Sequence, residues 1–304
     1  MRKGVTSNPS GAKRSTIEDL VELLDLERID DDFFLGKTED PGWGRLYGGH
    51  VFAQALAAAQ RTVEPERHVH SAHGYFLLAG DVTRPVLYEV DRIRDGGSFT
   101  TRRVVAIQGG KAIFHLSASF QAIERGFEHQ AAMPVVPEPL AIPTQEEALA
   151  PYLAKLPAMM RRQTFGVRAF EVRPHEPASD PVSPPPRAPE RNVWLRAIGT
   201  LPDDPALHLA LFTYISDFFF LGTSLLPHGV GWMRPEMQVA SLDHTIWFHA
   251  PLRVDDWLLY SMESPRASGG RGLVRGSIFS RDGTLVASSA QEGLIRRRSH
   301  VAGT

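Results

Sequence analysis

The sequence predicts an α+β protein in which one helix-plus-antiparallel-sheet unit occurs twice in a single chain. Three observations carry that reading. Strand-like runs come in groups joined by short glycine-bearing turns, which suits hairpins, whereas parallel crossovers need longer connections. Each group follows a strongly apolar helical stretch. The order then recurs at a fixed spacing: Tyr75-Phe76 matches Trp247-Phe248, Leu87-Tyr88 matches Leu259-Tyr260, and Gly97 matches Gly269, each pair 172 positions apart.

Composition bounds the rest. A chain of 304 residues is near the limit of a single core, so two domains are expected. Lys and Arg total 33 against 35 for Asp and Glu, so no global field draws the chain toward nucleic acid or a membrane surface. There is no cysteine, which removes disulfides, Cys-based zinc sites and thiolate mechanisms, and fits a reducing compartment. The basic N-terminus lacks the apolar core of a signal peptide, and no run approaches the ~18 apolar residues of a membrane span. The expectation is a soluble, cytoplasmic protein.

The elements follow in order. Residues 1–15 read as a disordered lead-in. Thr16 opens a short helix, with Ile17, Leu20, Val21, Leu23 and Leu24 at helical spacing and Glu18 and Asp19 in its first turn. Residues 26–36 read as strand, and 42–49 as a glycine-rich turn; Gly42-x-Gly44 lacks the third glycine a dinucleotide fingerprint needs. The alanine-rich run 50–63 is a helix whose small side chains let a sheet approach closely. Strands follow at 69–78, 85–91, 98–108 and 111–121. Residues 127–163 are irregular and proline-bearing, with a short helix at 145–156, and read as a linker between domains 1–126 and 164–304. The second unit has strands at 170–173 and 193–198, separated by an exposed loop at 174–189 that holds seven prolines. A helical region at 205–226 precedes strands at 239–248, 257–264, 272–280 and 284–295, with Ser280-Arg281-Asp282-Gly283 as a hairpin turn.

One stretch organises the second unit: Ser216-Asp217-Phe218-Phe219-Phe220-Leu221. A helix apolar all round must be buried on all sides. Ser and Asp are good N-caps, so Asp217 would stand at the mouth of an apolar enclosure beside a positive helix end, as a cap or as a catalytic group.

A buried helix wrapped by antiparallel sheet, twice in one chain, resembles the double hotdog fold, and the motifs are similar to one family, the type II (TesB-like) acyl-CoA thioesterases. The resembling residues are Tyr47-Gly48-Gly49-x-Val51, Val69-His70-Ser71-x-His73, Arg94-Asp95-Gly96-x-Ser98-Phe99 and Ala118-Ser119-Phe120-Gln121. Ser216-Asp217-Phe218-x-Phe220-Leu221, Leu242-Asp243-His244-x-x-Trp247-Phe248 and Val286-Ala287-Ser288-x-x-Gln291-Glu292-Gly293 continue the match, in colinear order from about residue 20. The resemblance implies hydrolysis of acyl-CoA to free acid and coenzyme A, with no cofactor and no metal. It implies that an aspartate, a hydroxyl and a glutamine hold the hydrolytic water, which carries over to Asp217, Ser241 and Gln291. Threonine is expected where Ser241 stands; serine keeps the hydroxyl but loses the methyl that stiffens χ1. The first half has Gly49-His50 where the second has Ser216-Asp217, so one constellation per chain is implied, drawn from the second half. The partners implied are acyl-CoA and copies of the same chain, as a dimer or tetramer.

Other candidates read as structural. By strand alternation, Ser241 shares a face with Asp243, Thr245 and Trp247, while His244 points the other way, so Asp243-His244 is no dyad. His68 and His70 share a face without His73 or a carboxylate, which argues against metal. Arg102, Arg103, Arg271 and Arg275 could meet coenzyme A phosphates but are more simply surface. Gly48 and Gly49 are candidate oxyanion donors at a helix start. The rivals are a hotdog enoyl-CoA hydratase, which needs a histidine close to Asp217, and a non-catalytic acyl-CoA sensor. A serine nucleophile lacks its elbow, since no G-x-S-x-G occurs.

Overall fold

A computed structural model describes residues 15–40, 42, 44–153, 156 and 169–298. The lead-in, Ser15 apart, and parts of the 127–163 linker lie outside the described residues. The first half comprises α1 (Ile17–Leu24), β1 (Glu27–Asp30), β2 (Phe33–Gly36), α2 (Gly48–Gln60), β3 (Arg67–Phe76), β4 (Val86–Asp95), β5 (Phe99–Gln108) and β6 (Lys111–Ala122). After α3 (Gln145–Leu153) come β7 (Phe170–Pro174), β8 (Glu190–Ala197), α4 (Pro205–Ser216), α5 (Phe220–Leu225), β9 (Met237–Ser241), β10 (Asp243–Phe248), β11 (Leu258–Ser268), β12 (Arg271–Ser280) and β13 (Leu285–Arg297).

The local chemistry accounts for these elements. α1 starts where Thr16 and Asp19 cap each other's backbone in a capping box. α2 is buried along almost its whole length, and Ala53, Ala55, Ala58 and Ala59 are fully enclosed. A helix so covered draws its stability from the sheet around it rather than from an amphipathic face.

The strands form a single antiparallel sheet in the order β1-β2-β4-β5-β6-β3-β10-β13-β12-β11-β8-β7, with β9 also paired to β13. The two halves join at its centre, where β3 and β10 pair with His73 opposite Thr245. Those two residues are themselves 172 apart, so a pseudo-two-fold axis passes between them. The repeat extends to irregularities: bulges fall between Asp91 and Arg94 and between Glu263 and Arg266, again at the same offset. The β12–β13 hairpin holds one residue more than the β5–β6 hairpin: five lie between the paired Phe279 and Leu285, four between the paired Ile107 and Ala112. Beyond it the offset becomes 173: Ala118 stands opposite Arg102 where Gln291 stands opposite Val274.

One expectation changes here. Residues Pro205–His228 are long and apolar enough to cross a membrane, although no such run was read from the sequence. In the fold this stretch is the core of the second half: 67% of its most apolar window is buried, and it breaks into α4 and α5.

Candidate active site

The site begins at that break. The sequence reading offered Asp217 as an N-cap or catalytic group at the start of the apolar run that follows it; the structure makes it the C-cap of α4. The break follows from Phe219, which has φ 69° and is the one described non-glycine residue with positive φ. A bulky side chain in the left-handed region costs about 1–2 kcal/mol. Contacts offset that cost: the Arg191 guanidinium lies 5.7 Å from the centre of the Phe219 ring, and Phe218 packs against its edge. Burial, then the neighbouring Arg187, pushes Arg191 down to about 10, so it is still cationic at neutral pH.

A C-cap faces the negative end of its own helix, so Asp217 takes its donors from elsewhere. Its Oδ2 accepts from the Gly49 N–H at 3.1 Å, in the first turn of α2. The residue before that helix, Tyr47, provides no side-chain cap, so a carboxylate of the second half caps the helix of the first. Glycine is required there. A Cβ on Gly48 would lie 2.7 Å from Asp217 Oδ2, and one on Gly49 would collide with the Tyr214 carbonyl oxygen. This corrects the oxyanion reading at Gly49, whose N–H is already given to Asp217.

The other carboxylate oxygen, Oδ1, accepts from Ser241 Oγ at 3.2 Å and from Gln291 Nε2 at 2.5 Å. All three side chains named from the sequence therefore meet at one carboxylate, which is 7% exposed. They do so through an irregularity. Ser241 pairs with Gly293 and Thr245 with Ala290, so four steps along β9–β10 match three along β13. The extra residue is a bulge, and it puts Ser241 and His244 on the same inner face despite their spacing. Asp243 serves this bend, accepting the Glu292 N–H at 2.7 Å.

His244 is the residue the sequence reading missed. Strict alternation turned it away from Ser241, and no local signal announces the bulge. Its Nδ1 lies 3.0 Å from Gln291 Nε2 and 3.9 Å from Asp217 Oδ1, and its Nε2 lies 3.1 Å from Ser216 Oγ. The ring is fully enclosed between Phe52 of α2 and Phe220 of α5. Burial outweighs the attraction of Asp217 and pushes it down to about 4, so the imidazole is neutral. Gln291 is equally enclosed, and its Oε1 has no hydrogen-bond partner in the protein.

The remaining candidates stand apart. Arg102 is buried rather than superficial, and bonds Thr62 beyond the end of α2 as well as Asp95. Arg103 pairs with Asp91 and Arg271 with Glu292. His70 bonds Ser119, His73 packs edge-on against Trp247, and His208 accepts from the Val254 N–H. Among the described residues no His/Cys/Asp/Glu group is arranged to hold a metal.

Comparison with known proteins agrees with this architecture. The family model described as acyl-CoA thioesterase matches residues 173–294, and that for the acyl-CoA thioesterase N-terminal domain matches 39–121. The chain is 41% identical to acyl-CoA thioesterase 2 of Haemophilus influenzae over 280 residues, covering 92% of this chain and 98% of that one. It is 40% identical to human acyl-coenzyme A thioesterase 8, covering 98% and 95% respectively. Among solved structures, an acyl-CoA thioesterase II from Mycobacterium marinum aligns with a TM-score of 0.76 at 41% identity, over 93% of this chain and 99% of that one. A hot dog fold protein from Alicyclobacillus acidocaldarius shares the fold at a TM-score of 0.71. The chain thus belongs to the acyl-CoA thioesterase family, as a double-hotdog hydrolase of acyl-CoA thioesters.

Proposed function

We propose that thioester hydrolysis takes place at Asp217, with Ser241 and Gln291 as its partners. The observation that carries this is convergence: a helix break, a bulged strand and a facing strand bring a carboxylate, a hydroxyl and an amide together within an apolar enclosure. A thioester is already a good electrophile, so the reaction needs a placed and deprotonated water more than a strong nucleophile. Asp217 takes one proton of that water while its oxygen adds to the carbonyl carbon. Ser241 orients the water, since a hydroxyl both donates and accepts. Gln291 holds Oδ1, and the start of α2 supplies positive potential where negative charge develops on the thioester oxygen. The C–S bond then breaks, and the thiolate of coenzyme A regains the proton from Asp217.

The hydratase rival requires a histidine at the carboxylate, and His244 is within 3.9 Å. Both of its nitrogens are engaged by Ser216 and Gln291, and the ring has no exposed edge for a substrate. That favours hydrolysis. The sensor rival gives no reason for a carboxylate held by three donors. The same proposal extends to a cytoplasmic location, in keeping with a cysteine-free chain, and to a dimer or tetramer, which sedimentation would reveal.

The test is free thiol released from a panel of acyl-CoA esters by the wild type and by Asp217→Asn, a protein with no cysteine background of its own. Loss of a factor of ~100 or more is expected, as for removal of a general base. Release that survives the substitution would move the chemistry elsewhere. Hydration of enoyl-CoA without thiol release would install the rival.

A further inference from the structure

We infer that His244 is a positioning residue, locked in one tautomer by Ser216, that holds the Gln291 amide with its donor side on Asp217. The inference rests on the reading of Asp217 as the base and adds a residue to it.

The relay starts from an atom whose role is not adjustable. The Thr213 carbonyl oxygen only accepts, and Ser216 Oγ lies 2.8 Å from it, so the single Ser216 hydroxyl hydrogen points there. Ser216 Oγ can then only accept from His244 Nε2, which must carry the ring's hydrogen. The neutral ring leaves Nδ1 as a lone pair, and a lone pair 3.0 Å from the Gln291 amide demands an N–H. The second hydrogen of the Gln291 amide nitrogen meets Asp217 Oδ1. Each step follows from the one before, from a backbone carbonyl in α4 to the carboxylate.

The alternative shows what the relay prevents. With the amide turned over, Oε1 would face Asp217 Oδ1 at about the same close separation, as two acceptors in a buried enclosure. That arrangement is tolerable only with a protonated Asp217, which is no base. A histidine free to place its hydrogen on Nδ1 would favour this state, because Nδ1–H would then meet Oε1. Packing serves the same end: Phe52 and Phe220 hold the ring from either side, one from each half of the chain. The first half has Ala72 at the position matching His244, and Ala118 at that matching Gln291, so the relay has no counterpart there.

The experiment combines a spectroscopic and a kinetic readout on the full chain. Ring 15N resonances assigned by difference against His244→Asn should show a neutral ring protonated at Nε2 in the wild type, and a mixture with the Nδ1–H form in Ser216→Ala. In the thiol-release assay, His244→Leu should lower kcat about tenfold or more with KM changed less than threefold. His244→Asn, whose Oδ1 can take the place of Nδ1 as acceptor, should recover kcat to within about threefold of wild type. Nδ1 protonation in the wild type would overturn the inference. So would a His244→Leu enzyme of undiminished kcat, or a His244→Asn enzyme that melts like wild type yet is as slow as His244→Leu. Should His244→Leu fail to fold, Ser216→Ala carries the test, since it removes one oxygen and leaves the ring in place. Failure of Asp217 as the base would appear instead as activity retained in Asp217→Asn, with the tautomer unaffected.

Discussion

The two halves share a strand scaffold down to its bulges and part ways at the inward-facing residues around the site. Ser241 and His244 of the second half correspond to Val69 and Ala72 of the first, and Gln291 to Ala118. The exchange also runs the other way. Val274 beside Gln291 is matched by Arg102, whose buried guanidinium makes five hydrogen bonds around Thr62, Arg94, Thr101 and Asp95. One half spends its inner polar capacity on tying the end of a helix, the other on holding a carboxylate. For these strand positions the halves therefore differ in a few side chains and not in the sheet, which offers both the same places.

Rewriting the second half as the first is the strongest way to break that comparison. Ser241→Val with Gln291→Ala should leave the melting transition cooperative and lower kcat by ~10² to 10³, measured by thiol release, because Asp217 loses two of its three donors. A loss below tenfold would mean that Asp217 needs no help from these groups.

Acid should strain both halves through one mechanism. His50 in α2 and His244 in β10 are each buried and pushed down to about 4. The unfolded chain, with histidine near 6.5, binds more protons between those values. Stability is therefore full above about pH 6.5 and falls as pH drops toward 4, by on the order of 3 kcal/mol per histidine. Denaturant titrations at several pH values should show that slope, and His244→Asn should make it shallower.

Giving the first half the second half's residue is a smaller perturbation. Arg102→Val should cost about 1–3 kcal/mol in urea denaturation, since it strands the Thr62 carbonyl and hydroxyl, and should leave kcat within about threefold. A matching fall in kcat would tie the first half into the chemistry beyond its N–H cap. The smallest effect belongs to Ser241→Thr, which keeps the hydroxyl and adds a stiffening methyl. A change in kcat of less than about threefold is expected in the same assay.

Much of the fold was legible beforehand because its signals are local. Alternation, β-branched runs and glycine turns placed β3 to β6 and β11 to β13 within a few residues, and the constant offset exposed the duplication. The three site residues came from the resemblance, and nothing in Ser241 or Gln291 by themselves distinguished them from ordinary strand polars. What escaped was what crosses between elements: the break at Phe219, the bulge at Leu242, and the capping of α2 by Asp217.

By itself, then, the sequence determined a duplicated helix-and-sheet protein with one conspicuous carboxylate, because periodicity and turn chemistry are written residue by residue. The tertiary structure alone decided what that carboxylate touches. Asp217 faces the start of a helix 168 positions earlier, and His244 turns inward because one extra residue shifts the strand's phase. Such contacts depend on the register and crossing of distant segments, which no window along the chain contains.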